Sequence, residues 1–187
     1  MKIGVYVGSF NPVHKGHIKI VNHLIENKYV DKVLIIPTGN YWNKNDLISI
    51  NDRINMLKMY QNKNIIIDQK HNNYTYTSLI FDDLSRDNNC YSLIIGADNI
   101  VNFNKWHDYK SLLKHELIII NRCNINIKCY VKKYKIENYK IVYDLPILDV
   151  SSTMIRNMIK NNKLSKNNRY IDNFVLEYIR EKGLYNK

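Results

Sequence analysis

The chain has 187 residues, 45% of them hydrophobic, and this length predicts one domain with one well-filled core. Its formal net charge of +11 is compatible with nucleic acid, a membrane surface or a small polyanionic molecule as partner. The lysines are scattered, and no run of five like charges occurs. We therefore expect a small anionic ligand, and neither a nucleic-acid nor a membrane partner.

The three cysteines, Cys90, Cys123 and Cys129, have no C-x-x-C spacing and are odd in number. They predict neither a disulfide framework nor a zinc site, and reduced thiols favour a cytoplasmic location. The first strand follows Met1-Lys2 directly, so no signal peptide is expected. No apolar run approaches the ~20 residues of a membrane helix.

Short apolar runs alternate with helical segments along the chain. The runs that predict strands are residues 3–7, 32–36, 65–68, 91–95, 116–121 and 140–143. Helical spacing is found over residues 18–25, 51–60, 77–86 and 171–182, and Gly183 suits a C-cap. This alternation predicts an α/β fold, a Rossmann-like doubly wound parallel sheet with helices on both faces.

The chain length and the alternation of strands and helices together predict the domain organisation. We expect a single domain over residues 1–187, with a core over 1–150 and a C-terminal helical part over 151–187. The Lys- and Tyr-rich stretch 124–138 has weak periodicity and is interpreted as a short insertion. In such a sheet a ligand binds in the crevice at the carboxyl ends of the strands.

Residues 8–17, GSFNPVHKGH, form the turn between the first strand and the first helix. Backbone amides and a helix N-terminus converge there, and small residues let a phosphate approach them. The turn also brings Ser9, His14 and His17 to that position, where imidazoles can donate hydrogen bonds to phosphoryl oxygens. The segment therefore predicts a phosphate-handling turn.

A second polar segment, residues 150–156 (VSSTMIR), begins a later helix. Ser151 or Ser152 can cap that helix, and Arg156 would present a bidentate fork to phosphate oxygens. A plain capped helix would explain the segment in isolation. Its occurrence together with the histidine turn favours an anion site.

The third segment, Ile95-Gly96-Ala97-Asp98, ends a buried strand at the expected crevice. Asp98 could accept hydrogen bonds from a ribose hydroxyl or cap the next short helix, and geometry alone leaves both open. By its residue type, Trp106 belongs more often to a core than to a ligand platform.

The pattern G-[ST]-F-x-P-x-H-x-G-H of the histidine turn resembles the signature of the HxGH nucleotidyltransferases. Those enzymes join a nucleotidyl group of ATP or CTP to a phosphate-bearing acceptor and release pyrophosphate. Asn11 stands where many members carry Asp. SSTMIR resembles their ISSTxIR motif, whose Ser, Thr and Arg hold the triphosphate. The P-loop, G-x-G-x-x-G and HExxH motifs do not occur.

Three further matches resemble the nicotinate-nucleotide adenylyltransferase branch. GAD-x7-W, which ends at Trp106, implies that this ring stacks on a pyridine. NYTYT over residues 73–77 resembles SYTxDT and implies that Thr75 lies near the pyridine carboxylate. VLEYIREKGLY over 175–185 matches the VxxYIxxxGLY ending. Lys44 stands in the place of a substrate-neutralising lysine.

The resemblance implies adenylyl transfer from ATP to nicotinate mononucleotide, with Mg²⁺ bound mainly through the ATP phosphates and no metal ligand assigned in the chain. The implied catalytic residues are His14, His17, Lys44 and Arg156. The implied ATP site is Gly8, Ser9, Phe10, Gly16, His17, Gly96, Asp98, Ser151, Ser152, Thr153 and Arg156. The implied acceptor site is Ser9, Asn11, Lys44, Thr75 and Trp106.

The alternatives are another phosphorylated acceptor and a non-catalytic nucleotide-binding protein. The other acceptors considered are nicotinamide mononucleotide, a phosphopantetheine and a sugar phosphate. A homo-oligomer is left open.

Overall fold

The protein is described from a computed structural model, over residues 1–39, 47–122, 125–146 and 148–186. Its strands are β1 (Lys2–Gly8), β2 (Lys32–Pro37), β3 (Ile65–Ile67), β4 (Cys90–Gly96), β5 (Glu116–Ile120) and β6 (Tyr139–Val142). They form a sheet of order β3-β2-β1-β4-β5-β6, in which every neighbouring pair is parallel. This is the strand order of the Rossmann fold, so the predicted fold class is confirmed.

The helices lie between and after these strands. They are α1 (Lys15–Glu26), α2 (Ile50–Lys58), α3 (Thr77–Leu84), α4 (Ala97–Ile100), α5 (Tyr109–Leu112), α6 (Ile127–Tyr134), α7 (Ser152–Lys160) and α8 (Asn173–Glu181). None of the helices in the described ranges has the length and apolar character to cross a membrane.

The strands β1, β2, β4 and β5 are buried on both faces of the sheet, which explains why they are continuous apolar runs. Tyr6 of β1 lies in one apolar cluster and its neighbour Val5 lies in the other. Side chains of α1, α2, α7 and α8 belong to the cluster on the Tyr6 face. Those of α3, α4, α5 and α6 belong to the cluster on the Val5 face.

The centre of the sheet determines where a ligand can bind. β1 and β4 are neighbours, but the chain leaves β1 toward α1 on one face and β4 toward α4 on the other. A crevice opens at the carboxyl ends of two strands that part in this way. Gly8 and Gly96 are the last residues of these two strands, so the crevice lies beside them.

The interpretation of residues 124–138 as an insertion is wrong. α6 occupies most of this stretch and connects β5 to β6, with Ile127, Val131 and Tyr134 buried against the sheet. Asn126 caps the helix by accepting a hydrogen bond from the backbone N–H of Cys129. Lysines surround a narrow apolar face here, which is why the helical period was weak in the sequence.

The C-terminal helices pack on the sheet itself. Ile155 of α7 and Val175 of α8 are fully buried in the cluster that contains Tyr6. Gly183 follows α8 with a φ of +60°, the left-handed conformation expected of a C-cap glycine. The division into a core and a C-terminal helical part stays a prediction, as does the single domain.

Candidate active site

The histidine turn begins where β1 ends and leads into α1. Phe10 adopts a φ of +46°, a strained conformation for a residue with a side chain. Its buried ring makes edge contacts with Tyr6 at 5.4 Å and with His17 at 5.0 Å, between ring centroids. These contacts hold the turn in a fixed shape beneath His17.

The two histidines of the turn stack on each other. Their ring centroids are 3.6 Å apart, and the planes differ by 20°. The backbone N–H of His14 donates to Nδ1 of His17 over 3.3 Å. Because Nδ1 accepts this bond, the proton of a neutral His17 ring lies on Nε2.

The environment of this pair favours neutral imidazoles. Burial lowers the pKa of His14 from its ordinary value of 6.5 to about 4, and the charge of Arg122 adds to that effect. Burial, His14 and Arg122 together hold the pKa of His17 well below its ordinary range. Both rings are therefore uncharged hydrogen-bond donors at neutral pH.

A first cavity of about 750 Å³ opens between the ends of β1 and β4. Segments before α3 and after β4 complete its walls. Among the residues that line it are Gly8, Ser9, Phe10, His17, Thr38, Tyr74, Thr75, Tyr76, Gly96, Asn99, Lys105, Trp106, His107 and Arg122. Its volume suits a small-molecule ligand.

A second cavity of about 570 Å³ lies between the N-termini of α1 and α7. The residues that line it include His14, Gly16, His17, Lys19, Asp98, Ile120, Arg122, Asp149, Val150, Ser151 and Met154. Two helix N-termini attract negative charge to this place. Of the described residues, His17 and Arg122 are the two that line both cavities.

The SSTMIR segment packs directly on the histidine turn. Ser151 caps α7 by accepting from the backbone N–H of Met154, as predicted, and the hydroxyl of Ser152 donates to the Pro12 carbonyl over 2.8 Å. Arg156 donates to the Asn11 carbonyl over 2.9 Å and to the Thr153 hydroxyl over 3.2 Å. The segment therefore braces the turn that carries the histidines.

Gly16 is required by the same packing. A Cβ at this position would lie 2.9 Å from the Val150 side chain and 3.0 Å from the His14 ring. Any larger residue would have to displace the Val150 side chain or the His14 ring.

Asp98 forms a bidentate ion pair with Arg122. Nε of the guanidinium lies 2.7 Å from Oδ1, and Nη2 lies 2.9 Å from Oδ2. The cap of α4 is Gly96, so the alternative that Asp98 caps this helix is wrong. A Cβ at Gly96 would collide with both members of the pair, and this explains the glycine.

The side chain of Trp106 is half-buried and lines the first cavity. Its ring packs against the buried Phe103 at 5.4 Å between ring centroids, so the core supports it. Thr75 lines the same cavity. The fold thus brings together the two residues expected beside a pyridine.

Sequence reasoning missed a second ring system in this wall. His107 stacks on Tyr76 with centroids 4.0 Å apart, and its Nδ1 lies 3.1 Å from the Ser78 hydroxyl. Its position next to Trp106 in the sequence could have indicated that His107 lies in the same wall.

Several predicted site residues lie outside the walls of both cavities. They are Asn11, Ser152, Thr153 and Arg156, so their roles as ligand contacts stay predictions. Asn11 is buried, and its Oδ1 accepts a hydrogen bond from the Tyr185 hydroxyl. Lys44 lies outside the described residues.

The sequence analysis also missed Arg53 and Arg122. Arg53 of α2 is fully buried and donates to the Ser9 carbonyl over 2.7 Å. This hydrogen bond supports the histidine turn. Its position in the sequence of α2 gives no indication that the side chain is buried. Arg122 follows β5, and its place at a strand end was the signal available.

Comparisons with known proteins identify the family of the chain. Residues 5–158 match the family model described as cytidylyltransferase-like. Two relatives carry the name "probable nicotinate-nucleotide adenylyltransferase". The protein of Flavobacterium psychrophilum is 32% identical, over 87% of this chain and 89% of its own. That of Flavobacterium johnsoniae is 31% identical over the whole of both chains.

A solved structure has the same fold. The nicotinic acid mononucleotide adenylyltransferase of Plasmodium falciparum, solved in complex with NaAD, superposes with a TM-score of 0.79 at 21% identity. The match covers 98% of this chain and 97% of that one. The family match and the full-length relatives together show the family of the chain. It belongs to the cytidylyltransferase-like family, among the nicotinate-nucleotide adenylyltransferases.

Proposed function

We propose that the protein transfers the AMP moiety of ATP to nicotinate mononucleotide, forming deamido-NAD and pyrophosphate. The observation that carries the proposal is the meeting of two cavities at His17 and Arg122. Such a pair of cavities can hold two substrates whose phosphates come together at one point. The names of the full-length relatives support the choice of reaction.

The acceptor fits the first cavity. Trp106 offers a supported aromatic face for the pyridine ring, and Thr75 lies in the same wall. Lys105 adds a positive charge that suits an anionic acceptor. Carboxylate recognition near Thr75 is our basis for naming nicotinate as the acceptor base.

ATP fits the second cavity. The N-termini of α1 and α7 favour its triphosphate, and His14, His17 and Ser151 line the walls. Asp98 lines this cavity and would accept hydrogen bonds from the ribose hydroxyls, as the family resemblance implies. Arg156 and Thr153 would reach the phosphates from the first turns of α7.

The chemistry requires positioning more than proton transfer. The acceptor phosphate is already an anion, so an oxygen of it attacks the α-phosphorus of ATP while the bond to pyrophosphate breaks. No general base is needed, and the rate depends on orientation and on charge stabilisation. His17 donates from Nε2 to the α-phosphate and His14 donates to the β- or γ-phosphate.

Mg²⁺ fits these surroundings as a companion of the triphosphate. No group of three or more His, Cys, Asp and Glu side chains suited to a metal is found in the described residues. Asp149 lines the second cavity and would supply carboxylate oxygen, the kind of donor that Mg²⁺ accepts beside phosphate and water. When bound, the ion neutralises phosphate charge.

The proposal is tested by measuring pyrophosphate release with ATP and CTP against four acceptors. These are nicotinate mononucleotide, nicotinamide mononucleotide, phosphopantetheine and glycerol phosphate. We expect the highest kcat/KM for ATP with nicotinate mononucleotide. Faster turnover of another pair would reassign the acceptor, and binding of ATP with no turnover on any acceptor would indicate a nucleotide-binding protein instead.

A further inference from the structure

Arg122 occupies the junction of the two cavities. It stands two residues beyond the end of β5, where the parallel sheet directs the chain into the crevice. Its side chain is about one-third exposed, so Arg122 is neither a core residue nor a freely solvated one. His17 is the other residue that lines both cavities.

The junction needs a permanent positive charge. Two phosphate groups approach each other there, and negative charge develops on the departing pyrophosphate oxygen. His14 and His17 are uncharged at neutral pH, because burial and Arg122 itself lower their pKa values. A guanidinium remains charged at any pH that a protein tolerates.

The orientation of Arg122 is set by its partner. Asp98 engages Nε and Nη2 through both of its oxygens, on the side where Gly96 leaves space. Asp98 lines only the second of the two described cavities, whereas Arg122 lines both. The carboxylate thus holds the guanidinium at the boundary before any nucleotide binds.

We propose that Arg122 is a catalytic residue that contacts the phosphates of both substrates at the junction of the two cavities. On nucleotide binding, phosphate oxygens replace part of the Asp98 contact, and Asp98 turns to the ribose hydroxyls. Arg122 keeps its protons throughout. The bond that forms joins the acceptor phosphate to the α-phosphorus, and pyrophosphate carries away the electron pair of the bond that breaks.

This inference rests on the proposed function, and kinetics of Arg122→Ala test it. We expect kcat to fall by about 100-fold or more. Arg122→Lys should recover part of the loss, because the charge returns without the bidentate fork. Arg86→Ala is the matched control, since Arg86 pairs with Asp83 on the surface, and it should stay within twofold of wild type. A value for Arg122→Ala within threefold of wild type would overturn the proposal.

A structural role for Arg122, acting only through Asp98, makes a different prediction. If Arg122 merely positions Asp98, adding Arg122→Ala to Asp98→Ala would cost nothing more. We expect a further loss of at least tenfold in kcat for the double variant. Near-UV circular dichroism checks that each variant is folded, and Arg122→Lys provides the measurement if the alanine variant is not.

Binding measurements separate this proposal from the proposed function. Calorimetry with ATP and with inorganic pyrophosphate needs no turnover. Both should bind Arg122→Ala at least tenfold more weakly than wild type, and equal affinities would contradict the role of Arg122. If wild type binds both but transfers nothing to nicotinate mononucleotide, the proposed function fails while this result stands.

Discussion

The Tyr185 hydroxyl donates a 2.8 Å hydrogen bond to Oδ1 of Asn11 and so joins the last residues of the chain to the histidine turn. The same Oδ1 accepts from the backbone N–H of Ile48 over 3.4 Å. The Asn11 carbonyl accepts from Arg156. The C-terminal GLY ending therefore supports the histidine turn, although Tyr185 lies 174 positions from Asn11 in sequence.

Tyr185→Phe should weaken this support without opening a cavity. The loss of one buried hydrogen bond typically lowers the free energy of unfolding by about 1 kcal/mol. Urea denaturation would measure the change. Tyr143→Phe is the control, because Tyr143 is 59% exposed, and it should leave the unfolding free energy within ~0.5 kcal/mol of wild type. Equal effects in the two variants would contradict the role of the Asn11 contact.

His17→Ala should abolish a donor at the α-phosphate. Removing one such donor typically lowers kcat by about 10²–10³. His23→Ala, on the same helix but outside both described cavities, should retain kcat. Thermal melting checks that both variants are folded. A folded His17→Ala enzyme within threefold of wild-type turnover would show that His17 does not act on the reacting phosphate.

The lowered histidine pKa values make stability depend on pH. As pH falls from 6.5 toward 4, the unfolded chain binds a proton at residue 14 that the native state does not, so the free energy of unfolding decreases. The shift in the pKa of His14 corresponds to roughly 3 kcal/mol of unfolding free energy, which is lost as pH falls below 6.5 and levels off near the folded pKa.

Denaturation in urea at several pH values would measure this dependence. The variant His14→Asn cannot titrate in this range, so its unfolding free energy should change less than that of wild type between pH 6.5 and 4. An identical slope for the two proteins would mean that His14 titrates normally in the native state.

Trp106→Ala should affect one substrate only. A ring stacked on a pyridine contributes roughly 1 kcal/mol beyond its area burial, and the loss of the buried area adds to this, so KM for nicotinate mononucleotide should rise tenfold or more. KM for ATP should change little, because Trp106 lines the first cavity and not the second. Trp106→Phe should keep part of the binding. Parallel loss for both substrates, with lower stability, would make Trp106 a core residue.

The sheet was predictable because its central strands, β1, β2, β4 and β5, are short apolar runs that are buried on both faces. Residues 3–7 and 91–95 illustrate this, since their alternate side chains enter opposite clusters. The turn between β1 and α1 and the Ser151 cap were predictable because strand-to-helix turns and helix caps use short local patterns. α6 was not, because scattered lysines obscure its narrow buried face.

The sequence did not predict the junction at which the two cavities meet. Asp98 and Arg122 are 24 residues apart, and only the parallel pairing of β4 with β5 brings them together. Arg53 supports Ser9 from 44 positions away, through the packing of α2. Pairwise contacts of this kind depend on the register of the sheet, and no local motif encodes them.

The fate of labelled phosphate tests the central claim most directly. ATP carrying ³²P at the α-position and ATP carrying it at the γ-position are each incubated with the protein, Mg²⁺ and nicotinate mononucleotide, and the products are separated by chromatography. Adenylyl transfer predicts that the α-label appears in a dinucleotide and the γ-label in pyrophosphate, in equal amounts. Transfer of the γ-label to the mononucleotide, or retention of both labels in ATP while the protein is folded, would contradict the account.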